Sequence, residues 1–314
     1  MKNKKHSNLD PRSILIERGI KKASGNVRRS KNQSSHQRGG IEFNTPQGSR
    51  SNLDVFNGSS IFLISSGPSL NDLNLEEINR VGAMSLGVNN SWHVFKPRFW
   101  TCADTPDRFL FSRWVDPGIT KLVPSSLKGL KLREQVGNEL VESEKRTCDC
   151  PNVFYYRRNL DFNPSSFLTE RTVNWGGHTK VKDSMGIAGA RSVLFSALKL
   201  CYSLGFRTVY LCGVDFEMNH GAQNYAFEQE RTKSAVKGNN NSYKANIKRL
   251  KSLRPVFDQA GFQVFNCNPR SRLDAFSFIS FDEAIHKCEE NLIPLESSKG
   301  WYDKVDKKIK VKRK

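Results

Sequence analysis

Short apolar runs alternate along this chain with stretches whose apolar residues recur every three or four positions. The first run, Ile61-Phe62-Leu63-Ile64, ends in Ser65-Ser66-Gly67-Pro68-Ser69. A run this short and this apolar suits a strand covered on both faces, as in a parallel sheet. Ala83 to Val88 predicts a second strand, closing in Gly87-Val88-Asn89-Asn90, and Arg98 to Ala103 a third, closing in Asp104-Thr105-Pro106-Asp107. Lys121 to Val123, Asn152 to Tyr156, Thr208 to Val214 and Gln263 to Cys267 are further strands. Between them, Leu70, Leu73, Leu75 and Ile78 predict a short helix or turn before Gly82. Ile187 to Leu204 carries the clearest helical period, through Ala188, Val193, Leu194, Ala197, Leu198 and Cys201. Gly205 stands where a C-cap glycine is expected. A basic amphipathic helix is expected over about Ser242 to Gln259, stopped by Gly261, and a last short one over Phe281 to Cys288. No internal repeat is visible.

Strands that alternate with helices give an α/β fold, a mostly parallel sheet flanked by helices. In such folds a ligand lies beyond the carboxyl ends of the strands. That rule selects Ser65, Ser66, Gly67, Pro68, Ser69, Asn89, Asn90, Asp104 and Asp215 as candidates for one crevice. At the first bend Gly67 permits a sharp turn and Pro68 suits a first helical turn. Successive N–H groups there would form an anion cradle for the phosphate of a nucleotide. An ordinary strand-to-helix turn reads the same way.

The chain has 314 residues, enough for a substantial core in one or two domains, and a formal net charge of +19. The charge is uneven. Residues 1–50 hold 12 Lys/Arg against 3 Asp/Glu, and residues 301–314 hold 7 against 2. Residues 1–54 are therefore expected to be a disordered basic arm, with one helical turn near Arg12 to Lys22, and residues 296–314 a basic tail. The nucleotide-binding domain should span 55–295, with 128–180 a peripheral insertion or lid. Basic arms suggest nucleic acid or another polyanion, or simply solubility. No run of 18 apolar residues and no apolar leader core is present, so a cytoplasmic chain without a transmembrane segment is expected. The seven cysteines are scattered, and Cys148-Asp149-Cys150 lacks zinc-knuckle spacing, so reduced core thiols are the expectation.

Several side chains could carry chemistry. Asn89 or Asn90 could meet a base or ribose edge. Asp104 and Asp107 could hold Mg²⁺ or orient a sugar hydroxyl, or merely cap a turn. Asp215 leads into a polar loop with Glu217, His220 and Tyr225. His220 is the first choice for a base near neutral pH, and His178, in Trp175-Gly176-Gly177-His178, the second. Lys244, Lys248 and Lys251 share a helix face, while Arg270 and Arg272, just after a strand, are better placed for a ligand phosphate.

Three stretches resemble a known family. They are Ile64-Ser-Ser-Gly-Pro-Ser-Leu70, the strand ending in Asn89, and Leu204-Gly-Phe-Arg-Thr-Val-Tyr-Leu-Cys-Gly-Val-Asp-Phe216 followed by Tyr225-Ala-Phe-Glu228. Over roughly residues 58–285 the chain resembles the bacterial CMP-sialic-acid sialyltransferases with a single Rossmann-like domain. It also resembles the broader 6-hydroxymethylpterin diphosphokinase (MptE)-like set, which Asp104 fits better. The resemblance implies a nucleotide held by Gly67, Pro68 and Ser69, Asn89 near its base or ribose, and Tyr225 at the phosphate or leaving group. The family's base histidine has no counterpart here: the chain reads Asn239-Asn240-Asn241-Ser242 at that place. Either His220 serves instead, or the chemistry differs, or the donor is not a sialic acid.

Three functions follow from these readings. The first is a nucleotide-sugar glycosyltransferase with His220 or an acidic residue as base, and Tyr225 and Arg270 at the departing phosphate. Its acceptor would be a glycan or hydroxylated DNA, as in virus-encoded DNA modification. The second is a Mg²⁺-dependent diphosphokinase using Asp104, Asp107 or Asp215. The third is a non-catalytic nucleic-acid-binding protein that reuses a nucleotide fold.

Overall fold

The computed structural model describes residues 42–45, 48–51, 55–177, 182, 186, 191–227 and 230–290. The strands in chain order are β1 (Glu42–Thr45), β2 (Gly48–Ser51), β3 (Ser60–Ile64), β4 (Met84–Val88), β5 (Phe99–Thr101), β6 (Thr120–Pro124) and β7 (Lys131–Val136). They continue with β8 (Glu139–Arg146), β9 (Val153–Tyr156), β10 (Arg158–Asn159), β11 (Val173–Asn174), β12 (Thr208–Cys212), β13 (Gln263–Asn266) and β14 (Ser277–Phe278). The α-helices are α1 (Glu76–Arg80), α2 (Phe111–Val115), α3 (Val193–Leu204), α4 (Lys233–Gln259) and α5 (Phe281–Glu290).

Ten strands form one sheet in the order β14-β13-β12-β3-β4-β5-β6-β9-β1-β2. The first eight of that order run parallel, and the β1–β2 hairpin adds antiparallel at the β9 edge. The α/β fold expected from the alternation of runs is thus the one observed. Folded structure was expected from Val55, yet the β1–β2 hairpin precedes it; the remainder of both arms lies outside the described residues.

The first run is apolar throughout because β3 is covered on both sides. Ile61 and Leu63 join one core with α3 and α4, through Leu198, Cys201, Leu253 and Phe257. Phe62 and Ile64 join the other, with Leu70, Ile78 of α1, and Phe281 and Ile285 of α5. All four are 0 % exposed, which contributes roughly 2 kcal/mol each. A third cluster stacks Trp100 edge-on against Trp114, beneath β6 and β9.

The helix boundaries follow their caps. Ser192 caps α3, its Oγ accepting from the Leu194 N–H at 3.2 Å. Gly205 ends it at φ 103°, a left-handed conformation that glycine adopts without strain. The helix expected from Ile187 starts at Val193; residues 187–190 lie outside the described residues. Helix α4 starts nine residues before the expected Ser242, at the Thr232 cap. The stretch at 128–150, read as merely peripheral, holds the β7–β8 hairpin as a separate two-stranded sheet.

Candidate functional site

The chain leaves β3, steps outward through β4, β5, β6 and β9, then crosses back to place β12 on the other side of β3. The crevice of such a sheet opens where the two directions part, beyond the carboxyl ends of β3 and β12. Register fixes how those ends meet: Leu63 lies beside Leu211, and Ile64 beside Cys212 and Gly87.

At this place the first bend is filled from within the protein. The Ser65 N–H donates to the Cys212 carbonyl at 2.8 Å and the Gly67 N–H to the Gly213 carbonyl at 2.8 Å. The Ser69 N–H donates to Asp215 Oδ2 at 3.1 Å, and the Ser69 hydroxyl to Asp215 Oδ1. Asn268, at the tip of β13, donates its amide to Asp215 Oδ1 at 2.8 Å. The anion at the bend is therefore the Asp215 carboxylate: the N–H groups of Gly67 and Ser69, expected to cradle a phosphate together with the Pro68 turn, are taken up by Gly213 and Asp215. Gly67 is not required for its backbone angle, an ordinary φ of −68°. It is required for its missing Cβ, which would stand 2.4 Å from Asp215 Oδ2 and 2.6 Å from the Gly213 carbonyl.

Two clefts adjoin this knot and share Asp215, Glu217 and Asn224. The open one, about 390 Å³, is lined by Pro68, Ser69, Asp72, Gln223, Asn268 and Arg270 among others. The inner one, about 180 Å³, runs from Ser65 and Ser66 past Asn89 to Ser192 at the start of α3, and to Tyr225 and Tyr243. Asn89 Oδ1 is buried there without a hydrogen-bond partner among the described residues. Asn89 and Phe216 both lie in the left-handed region, at φ 49° and 55°. For Phe216 that conformation costs about 1–2 kcal/mol. Its ring stacks on Tyr243 at 4.9 Å. Burial raises the Tyr243 hydroxyl's pKa, so it is a donor at any ordinary pH.

Beside the inner cleft the Tyr225 hydroxyl accepts from Arg231 Nη2 at 2.7 Å and Nε at 3.1 Å. The Tyr225 ring stacks on Phe227 at 5.3 Å, and Phe227 in turn meets His93 at 4.9 Å. Where the resemblance puts a base histidine, Asn240 instead holds the loop after Asp215. Its Oδ1 accepts from the Met218 N–H at 2.9 Å and its amide donates to the Met218 carbonyl at 2.8 Å.

No protein-family model matches this chain, and no curated protein matches it. Among solved structures it is similar to the sialyltransferase CstII from Campylobacter jejuni, solved in complex with a substrate analogue, cytidine-5'-monophosphate. The identity is 14 %, the TM-score 0.40, and the match covers 79 % of this chain and 97 % of that one. At that level the likeness carries no inference about activity.

The expected site residues divide into two groups. Ser65, Ser66, Gly67, Asn89, Asp215 and Tyr225 line the inner cleft; Pro68, Ser69, Asp215 and Arg270 line the open one. Arg270 is paired with Asp72 at 2.5 Å. Asn90 turns away, its Oδ1 accepting from Arg113 Nη1 at 2.8 Å, so it serves the core rather than a ligand. Asp104 lies two strands along, beyond β5, and lines neither cleft; His220 sits on an exposed loop and lines neither. Asp104 was expected in the crevice and His220 was the first choice of base; neither borders these two clefts. His178 and Glu228 lie outside the described residues. Asn268 was missed, although the strand-end rule that selected Asn89 also points to the residue after β13. Tyr243, Arg231 and Ser192 carried no such signal.

Proposed function

We propose that the chain is a nucleotide-sugar-dependent glycosyltransferase whose donor occupies the two joined clefts. The supporting observation is the buried, unpartnered Oδ1 of Asn89 in the inner cleft. A buried acceptor without a donor costs stability unless something supplies one. A ribose hydroxyl or an exocyclic amino group of a base is the simplest supplier in a space of that size. The donor's phosphate then lies toward Tyr225, and its sugar in the open cleft with the acceptor.

The chemistry falls to residues that face these clefts. Glu217 borders both and has Arg272 at 3.3 Å. It takes the proton of the acceptor hydroxyl as that oxygen bonds to the anomeric carbon. The bond from that carbon to the phosphate oxygen breaks, and its electron pair leaves with the nucleotide phosphate. Arg231, held against the Tyr225 hydroxyl, stabilises the charge that develops there. Asp215 keeps Ser69 and Asn268 in place and takes no proton. The roles assigned earlier to His220 and Asp215 thus pass to Glu217. The diphosphokinase reading finds no support in the placement of its carboxylates, because Asp104 and Asp107 follow β5, three strands along the sheet from β12 and an Asp215 already held by three donors.

A panel of sugar nucleotides, assayed for donor hydrolysis and for binding, tests the proposal. One nucleotide class should turn over, and Tyr225→Phe should lower its kcat by about 10²-fold. Neither turnover nor binding of any donor would remove the reading.

A further inference from the structure

Beyond the carboxyl ends of β5, β6 and β9, on the same edge of the sheet as the clefts, two guanidinium groups lie against one indole. Arg158 Cζ is 3.8 Å from the Trp175 ring centroid and Arg191 Cζ is 4.9 Å from it. Trp175 is 6 % exposed and its buried Nε1 has no partner among the described residues. Among the described residues Arg158 donates only to neutral oxygens, the Ala103 carbonyl at 3.4 Å and Ser126 Oγ at 3.0 Å. Arg191 is exposed and makes no hydrogen bond to any described residue. Neither cation has a carboxylate within ion-pair distance among the described residues; Asp104 acts on Arg158 only from beyond that distance.

Two like charges on one ring repel each other, and burial adds to the cost. The stacking itself points to what offsets it. A guanidinium stacked on an indole uses its face and leaves its edge, a planar fork of N–H donors that matches a carboxylate or a phosphate. The cluster is tied to the inner cleft through the chain. The Ser192 N–H donates to the Trp175 carbonyl at 2.6 Å, and Ser192 and Val193 line that cleft.

We propose that Arg158 and Arg191, presented on Trp175, bind an oxyanion of the acceptor, a carboxylate or a phosphate carried beside the hydroxyl that is glycosylated. This rests on the transferase reading. The acceptor it specifies is an acidic or phosphorylated sugar. A polynucleotide would need a longer run of cations than this pair supplies.

The test is a titration of the full-length protein, followed by the arginine Nε–H signals in nuclear magnetic resonance with no donor present. Glucuronate and glucose 6-phosphate are the two oxyanion arms and glucose the neutral control. Either oxyanion should shift the Arg158 and Arg191 signals while glucose shifts neither, and the stronger arm names the source. Arg191→Gln, at an exposed position, should weaken that binding about tenfold. Trp175→Phe, which keeps a ring, should weaken it less. The proposal is overturned if neither oxyanion shifts the signals, if glucose shifts them equally, or if Arg191→Gln leaves the affinity unchanged. Because donor is absent, a failure here is read apart from a failure of the sugar-nucleotide panel.

Discussion

The two halves of the sheet handle charge differently. On the β12–β13 flank charged groups meet opposite charges or several donors. Arg270 pairs with Asp72 at 2.5 Å, Arg272 with Glu217 at 3.3 Å and Lys251 with Asp274 at 2.7 Å, while Asp215 accepts from Ser69 and Asn268. On the β4–β9 flank, three cations at 1 % exposure or less meet only neutral acceptors. Arg113 donates to Asn90 Oδ1, Lys121 to the carbonyls of Asp116, Ile119 and Pro151, and Lys199 to the Leu168 carbonyl at 2.6 Å. Burial lowers all three, Arg113 to about 10, Lys121 to about 8 and Lys199 to about 7. The ion pairs of the first flank are exposed and contribute little each. Its rigidity comes from the Asp215 knot. The three cations of the second side are shut away from any ligand, and each is a cost to folding that burial without a hydrogen-bonded carboxylate leaves uncompensated. One side settles its charges by pairing, the other buries three of them on neutral oxygens.

The largest effect should come from removing the knot. Asp215→Ala leaves the Ser69 N–H, the Ser69 hydroxyl and the Asn268 amide without their common acceptor. A loss of about 2–4 kcal/mol in urea unfolding is expected, with donor binding lost as the bend relaxes. An unchanged unfolding midpoint would show that this flank is not organised by Asp215, and the contrast between the flanks would fall with it.

An effect of opposite character, smaller at any one pH step, is expected at Lys199. Its folded pKa, about 7, lies below the ordinary 10.5, because burial outweighs the attraction of Glu170. Between these values the unfolded chain binds a proton that the folded one lacks, so stability rises with pH across that window. Below pH 7 both states are protonated and the full cost of the buried charge is present. Wild type should gain at most about 1.4 kcal/mol per pH unit relative to Lys199→Met between pH 7 and 10. Equal pH profiles for the two proteins would mean that Lys199 finds a counter-charge, and that the second flank is less cationic than its contacts indicate.

Most of the fold could be read because parallel strands buried on both faces leave unbroken apolar runs, as at Ile61–Ile64 and Thr208–Val214. The β7–β8 hairpin was missed although Gly137-Asn138 marks its turn, since exposed strands such as Glu139–Arg146 carry few apolar residues. Helix α4 was cut short because Asn239, Asn240 and Asn241 are poor helix formers; contacts such as those of Asn240 with Met218 override that preference. The site was legible where the backbone dictated it. Strand ends chose Ser65, Asn89 and Asp215, but not the direction of a side chain. Asn90, one residue from Asn89, faces Arg113 instead of the crevice. The Asp215 knot was not legible at all, because it depends on a carboxylate and a serine 146 positions apart in the chain.

The smallest effect is the one the sequence rated highest. His220 follows Asn219 on an exposed loop that is closed without it, since Asn224 Oδ1 accepts from the Asn219 N–H at 2.8 Å and its amide donates to the Asn219 carbonyl at 2.9 Å. His220→Ala removes no observed contact and opens no cavity, so stability should stay within about 0.5 kcal/mol of wild type. Activity should likewise be retained, whereas Glu217→Gln, which keeps the shape and removes the base, should abolish transfer while donor binding persists. Loss of transfer in His220→Ala alone would return the proton to the histidine. It would also mean that the loop closes over the open cleft during the reaction, so that the paired flank moves.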